Sequence, residues 1–184
     1  RLRRPLGGVQ LDRCAQATRH GDRARVPPVV EAVDRHAREQ PFVRELVPTV
    51  SPGDARQADV FIRGMSIGNG LPVVGDMCMG SALHANGRPW VEAATEDGKA
   101  IDRLTAEKHN KYPELVASDR ARFVVLACEE GGRWGPDVFE VVKDLVKLKV
   151  APLHPLLRRS AALAYTRRWW SILAMGCLLY TSPS

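Results

Sequence analysis

Two short apolar runs, Ala58-Asp59-Val60-Phe61-Ile62 and Val73-Val74-Gly75-Asp76-Met77-Cys78-Met79, have the length and composition of buried strands, and each carries one aspartate. A carboxylate inside such a run is costly to desolvate, so it has to be paired with a charge or bound to a cation. Strand alternation puts Asp59 on the side of Phe61, and Asp76 on the side of Val74 and Cys78. Sixteen residues separate the two acids, with a glycine-rich turn over 64–70 between the runs. A short turn favours an antiparallel hairpin, which can set both carboxylates on one face of neighbouring strands.

The rest of the chain supplies elements to cover such a hairpin. Pro27 and Pro28 open a helix whose apolar positions Val26, Val29, Val30, Val33 and Ala37 make one face, ending near Pro41. Phe42 to Val47 alternates as a strand, and Ser51-Pro52-Gly53-Asp54 is a turn signal. Residues 85–98 form a polar loop. The helix after it aligns Ile101, Leu104, Lys108 and Tyr112 on one stripe, so a lysine occupies a place where a core residue is expected. Pro113 ends or kinks this helix, because proline removes a backbone donor and disfavours helical geometry at Tyr112. Arg122 to Cys128 reads as a buried strand, and Pro136 starts a helix with Val138, Val141, Val142, Leu145 and Val146 on its inner face. Beyond Pro155 a last helix carries Leu156, Leu163 and Trp170 in a narrow stripe, with Arg158, Arg159, Arg167 and Arg168 distributed around it. This alternation of helices and strands predicts an α/β fold with a small mixed sheet flanked by helices and followed by a basic C-terminal helix.

Composition narrows the partners. The chain of 184 residues has a formal charge of +6, concentrated near its ends: nine arginines against five acids over 1–40, and four arginines with no acid over 151–174. Such a balance favours an acidic partner, of which nucleic acid is the commonest. Cys14, Cys78, Cys128 and Cys177 form no CxxC pair, so neither a zinc ribbon nor a disulfide framework is indicated, and a reducing, intracellular compartment is expected. The apolar run over 169–180 is too short to span a bilayer. Cys14 and His20, in a basic linker over 1–26, are two of the four ligands a zinc knuckle needs, so zinc is not expected.

Two carboxylates on one face suit Mg²⁺ or Mn²⁺, which take one or two carboxylates together with waters and phosphate oxygens. A cation there activates a water and offsets charge on a phosphodiester, and Lys108 on its stripe is placed to stabilise that same charge. The same residues have a plainer reading, in which Asp59 and Asp76 end strands or pair with Arg63 or Arg56 and Lys108 snorkels to solvent. His84, His109 and His154 read as surface residues.

The order Ala58-Asp59, then Asp76 within an apolar strand, then Lys108-x-x-x-Tyr112 resembles the restriction-enzyme-like endonuclease domain, of PD-(D/E)XK type, that ends the polyprotein of site-specific non-LTR retrotransposons. Arg19-His20 resembles the Arg-His element of that family, and the strand Phe123 to Cys128 followed by Gly131-Gly132-Arg133-Trp134 resembles its strand and Gly-x-Trp-like turn. The resemblance covers about Asp12 to Ala174, with specificity in the order and spacing of short motifs. It implies a restriction-endonuclease-like core over 27–150, with Asp59 and Asp76 as metal ligands, Lys108 as the catalytic lysine and Tyr112 supporting it. Arg19, His20, Arg158, Arg159, Arg167 and Arg168 are the implied nucleic-acid contacts. Target DNA, and element RNA through the rest of a polyprotein, are the implied partners, in the nucleus. In the wider nuclease family the lysine stands two residues after the second acid; Cys78 is at that position here, and Lys108 substitutes from a helix. Ala58 stands where proline is usual. The same chain is also readable as an inactive remnant that only binds nucleic acid. The start at Arg1 reads as that of a fragment, 151–175 as the basic helix, and Gly176 to Ser184 resembles translated adapter sequence.

Overall fold

The computed structural model describes residues 38–39, 41–84 and 86–181. The helix expected from Pro27 to near Pro41 lies outside the described residues as far as 37, as do Cys14, Arg19 and His20, and at its far end Arg38–Glu39 form a strand instead, paired antiparallel with Val60 and Phe61. Ten elements follow in order: β1 (Arg38–Glu39), α1 (Val43–Leu46), β2 (Val60–Ile62), a 3₁₀ turn (Ser66–Gly68), β3 (Val73–Gly80), α2 (Lys99–Lys111), α3 (Pro113–Val116), β4 (Arg122–Glu129), α4 (Pro136–Val150) and α5 (Pro155–Thr181). The fold is mixed α/β around a small sheet of order β1-β2-β3-β4.

β2 and β3 form the expected antiparallel hairpin, with Val60 opposite Gly75 and Phe61 opposite Val74. A Cβ on Gly75 would lie 2.7 Å from Val60 Cγ1, so only glycine lets the two strands approach this closely here. β3 and β4 pair in parallel from Val73 with Arg122 to Gly80 with Glu129. A parallel pair needs a long crossover, which the loop, α2 and α3 supply. β4 is an edge strand, and its outer groups are occupied: the Val125 amide donates to Asp137 Oδ2 at 3.0 Å, and Gly135 N donates to Ala127 O at 2.9 Å.

Alternation divides the sheet into two faces. Val60, Ile62, Val73 and Val124 point toward α4 and α5, in one cluster with Val138, Val141, Val142, Leu145, Val146 and Trp169. Phe61 and Val74 point the other way, toward Val43, Tyr112 and Leu115, and Cys78, Val125 and Ala127 on that side meet Ile101 and Leu104 of α2. Each fully buried valine or leucine contributes on the order of 1.5–3 kcal/mol relative to exposure, so both layers hold the central strand from opposite sides.

Two further expectations are corrected. Phe42 to Val47 is not a strand: Val43 to Leu46 form one helical turn, closed by Val47 N donating to Val43 O at 2.9 Å, and only Phe42 makes an isolated bridge, to Gln57. Its apolar residues fit spacing four as well as spacing two, and Val43, Val47 and Val50 are the ones buried. On α5 the stripe Leu156-Leu163-Trp170 meets the core only at Trp170, whose ring lies 4.9 Å from Phe139 of α4. Leu156 and Leu163 are 84% and 57% exposed, while Trp169 is 3% exposed and packs with Ala162, Tyr165, Ile172 and Leu173. Trp169 and Trp170 together set the face that meets α4, and steps of three and four from Trp169 extend it. No helix among the described residues is long and apolar enough to cross a membrane.

Candidate active site

The register of the β2–β3 hairpin sets Asp59, one residue before the ladder, across from Asp76. Asp59 N donates to Gly75 O at 3.0 Å, and Asp59 Oδ2 accepts from Met77 N at 2.6 Å, so the first aspartate folds back onto the second strand. Asp59 shares the face of Phe61, and Asp76 that of Val74 and Cys78, which is the α2 side of the sheet for both.

Asp76 is only 2% exposed, in the middle of β3. Its two oxygens have different partners. The Lys108 ammonium lies against Oδ2 as a salt bridge, and the Tyr112 hydroxyl stands 3.0 Å from Oδ1. That hydroxyl also reaches Gln57 O at 2.7 Å, and with one hydrogen for two acceptors the bond is shared between them while Asp76 is ionised. Both partners arrive from the C-terminal turn of α2. Lys108 and Tyr112 are four residues apart and so share a helix face, and Pro113 stops the helix where the tyrosine must turn inward. The Tyr112 ring is fully buried and packs 5.4 Å from Phe123.

The charges perturb one another. Burial raises the Asp59 carboxyl above its ordinary range, and the nearby negative Asp76 raises it further, against the Met77 amide and Lys108, which lower it. For Lys108, burial works to neutralise the amine, but attraction to Asp76 and the bond to it outweigh that, and the pKa ends raised. The ammonium therefore stays charged at neutral pH and cannot serve as a proton acceptor. Burial, then Asp76, pushes the Tyr112 phenol well above its usual range, so it is a fixed neutral donor. Lys111 as a whole is exposed at the rim, yet desolvation of its ammonium is the largest influence and lowers its pKa, with Asp76 and Asp59 opposing. That ammonium sits 4.6 Å above the Tyr112 ring.

All four residues of the expected catalytic set, Asp59, Asp76, Lys108 and Tyr112, thus meet on one face of the sheet. The plainer pairings are not found: Arg56 bonds Asp54 and Glu114, Arg63 lies 5.4 Å over the Phe61 ring, and Lys108 turns inward with its side chain 18% exposed. The residues present fit a hard divalent cation. They offer two carboxylates, one with a pKa raised first by burial and then by the other's proximity, a repulsion that a cation between them would relieve. No third His, Cys, Asp or Glu joins them as a metal cluster among the described residues, so remaining positions would fall to water and phosphate oxygens.

The arginines of α5 do not converge on this site. Arg158, Arg159, Arg167 and Arg168 are exposed on the helix that covers the opposite sheet face, and the Arg158 guanidinium caps the end of α4 through Leu153 O at 2.9 Å and Ala151 O at 3.0 Å. His84 stacks on Trp90 at 3.5 Å, His109 lies 6.0 Å from Phe123, and His154 Nδ1 accepts from Leu156 N.

Three contributors escape a reading of the sequence. Lys111 had a signal, since it is one turn from Lys108. Arg56 had none for this role, because Glu114 and the Lys111 carbonyl lie at the α2–α3 junction, 58 and 55 residues away. Asp144, 3% exposed on α4, accepts from Ser66 Oγ at 2.5 Å, from the Ile67 amide and from Lys147 at 3.0 Å. Burial opposes its ionisation, but these three bonds and the Lys147 charge win and its pKa is lowered, which makes it a staple between the 3₁₀ turn and α4.

Comparison with protein-family models and with curated proteins finds no match to this chain.

Proposed function

We propose that this chain is a Mg²⁺- or Mn²⁺-dependent DNA endonuclease domain with a restriction-endonuclease-like core, of the kind that nicks target DNA for reverse transcription in retroelement polyproteins. The observation that carries the reading is the convergence of two strand carboxylates, Asp59 and Asp76, with the charged Lys108 ammonium on one sheet face. Structural ion pairs need one acid and one base; a second, desolvated acid beside the pair adds repulsion that its bond from Met77 N does not cancel, and it is useful where a cation is to be held.

In this proposal Asp59 and Asp76 hold the metal. A metal bound there would supply an activated water and offset charge on a scissile phosphate. Lys108, charged at neutral pH, faces the negative charge that grows on the phosphoryl oxygens. Tyr112 fixes the Asp76 carboxylate through Oδ1 and takes no proton. Lys111, at the rim, draws in the DNA backbone, with the +6 net charge of the chain aiding encounter. The partners in this reading are target DNA and, through other parts of a polyprotein, element RNA, in the nucleus.

A second reading, an inactive remnant that binds nucleic acid, is favoured by one feature: Lys108 already neutralises Asp76. The two readings separate in one assay. Purified protein with Mg²⁺ should convert supercoiled plasmid to the nicked circle, and Asp76→Ala should abolish conversion while leaving salt-sensitive DNA binding intact. Equal cleavage by wild type and Asp76→Ala defeats the site assignment, and binding without cleavage by either supports the remnant.

A further inference from the structure

Arg56 is three residues before Asp59, in the segment leading into β2, and its guanidinium has three kinds of partner. Nε donates to Asp54 Oδ2 at 2.9 Å within its own turn. Nη2 bonds Glu114 Oε1 at 2.9 Å, in the first turn of α3. Nη1 donates to the backbone carbonyl of Lys111 at 2.5 Å, at the last residue of α2. Asp54 is itself held in the opposite direction, its carbonyl accepting from Arg44 of α1 at 2.6 Å.

The Lys111 carbonyl is one of the groups a helix leaves without an internal partner at its C-terminus. Pro113 has no N–H, so the chain that follows cannot supply every missing donor. Arg56 donates to it from outside the helix. The turn so capped is the one that projects Lys108 onto Asp76 and ends at Tyr112, whose hydroxyl reaches back to Gln57, the residue after Arg56. The α2–α3 junction and the approach to Asp59 are therefore joined twice, through the Tyr112 hydroxyl inside and through the Arg56 guanidinium at the surface, where its side chain is 29% exposed.

We infer that Arg56 is a positioning residue: it touches neither carboxylate of the site, and it holds the Lys108–Tyr112 turn in register with Asp59 and Asp76 by bonding the Lys111 carbonyl and Glu114 at once. The inference about geometry stands on these bonds, and its consequence for turnover rests on the endonuclease reading above. Only a planar fork reaches carboxylates on two elements and a carbonyl together. A lysine supplies the same charge from a single point and cannot span them. Geometry and charge are thus separable by Arg56→Lys.

The test compares wild type, Arg56→Lys and the milder Glu114→Gln, which keeps an acceptor in place, in plasmid nicking with Mg²⁺ and in amide hydrogen exchange without DNA or metal. Arg56→Lys should lower kcat by about ten- to hundredfold with KM within about twofold, as expected when a catalytic turn shifts by roughly an ångström. Exchange at the Tyr112, Leu115 and Val116 amides, which bond the Lys108 and Tyr112 carbonyls, should accelerate in Arg56→Lys and less so in Glu114→Gln. Full nicking by Arg56→Lys, a loss confined to KM, or unchanged exchange at these amides would overturn the inference. Faster exchange together with a wild type that does not nick would leave the positioning bond standing and remove the endonuclease reading.

Discussion

Replacing Lys108 with methionine removes the cation from a carboxylate that is 2% exposed and keeps the length and apolar stem of the side chain. Breaking a buried pair by deleting one partner costs about 3–5 kcal/mol, because the remaining charge is left without compensation. Lys108 is 18% exposed and Asp76 retains its bond to the Tyr112 hydroxyl, so the low end, about 3 kcal/mol, is expected. In a chain of this size each kcal/mol moves Tm by roughly 2–4 °C, which makes the loss about 6–12 °C. Urea unfolding followed by tryptophan fluorescence reads the same quantity, with an unchanged slope showing that the unfolded ensemble is the same. The double variant Asp76→Asn/Lys108→Met should recover much of the loss, since an amide still accepts from Tyr112 and no buried charge is left, giving a coupling energy within the roughly 0.5–3 kcal/mol range of contacting pairs. The dependence on pH has a definite sign. The Lys108 pKa is raised in the fold above its ordinary 10.5, so the pair's contribution is complete below 10.5 and is lost as pH climbs through the higher folded value. The gap between wild type and Lys108→Met should thus stay constant from neutral pH to about 9 and close only in stronger alkali. A single variant within about 0.5 kcal/mol of wild type, the range of an ordinary surface substitution, would refute the buried pair.

Asp59→Asn should raise Tm at pH 7 in metal-free buffer. The folded pKa of Asp59 is above its ordinary 3.8, so the native state binds more protons over that interval and stability falls as pH rises through it; the variant's advantage should vanish below 3.8, as thermal scans across pH will read. On α5, Trp169→Ala should cost about 3–5 kcal/mol in urea unfolding, whereas Leu163→Ala should stay within about 0.5 kcal/mol, the reverse of what a heptad stripe through Leu163 implies.

What was legible in the sequence follows from how local each signal is. The hairpin of β2 and β3 was readable because two alternating runs flank a short glycine-rich turn, and alternation alone fixed which neighbours Asp59 and Asp76 would share. Lys108 was readable because it interrupts an apolar helical stripe, and the helix end was readable from Pro113. Phe42 to Val47 misled because its apolar residues satisfy both periods, and only the tertiary bonds of Val43 N to Arg56 O and Ala58 N to Pro41 O choose the helical turn. The face of α5 misled because the two leucines of the stripe stay exposed while its Trp170 joins Trp169 against the core, and the larger rings decide the face. Asp144 and Arg56 each have a local partner, Lys147 and Asp54, but the bonds that give them their roles, to Ser66 and to the Lys111 carbonyl, span 78 and 55 residues, and no local pattern encodes such pairings.

In the proposed function Asp59 and Asp76 together form a divalent-cation site, and Mn²⁺ titration followed by electron paramagnetic resonance tests this without DNA or turnover. Wild type should take up Mn²⁺ saturably and give it up to excess Mg²⁺, while Asp59→Asn and Asp76→Asn should each weaken uptake by at least about tenfold, as loss of a ligand from a two-carboxylate site requires. Uptake by Asp76→Asn equal to that of wild type, or none by wild type, would contradict it.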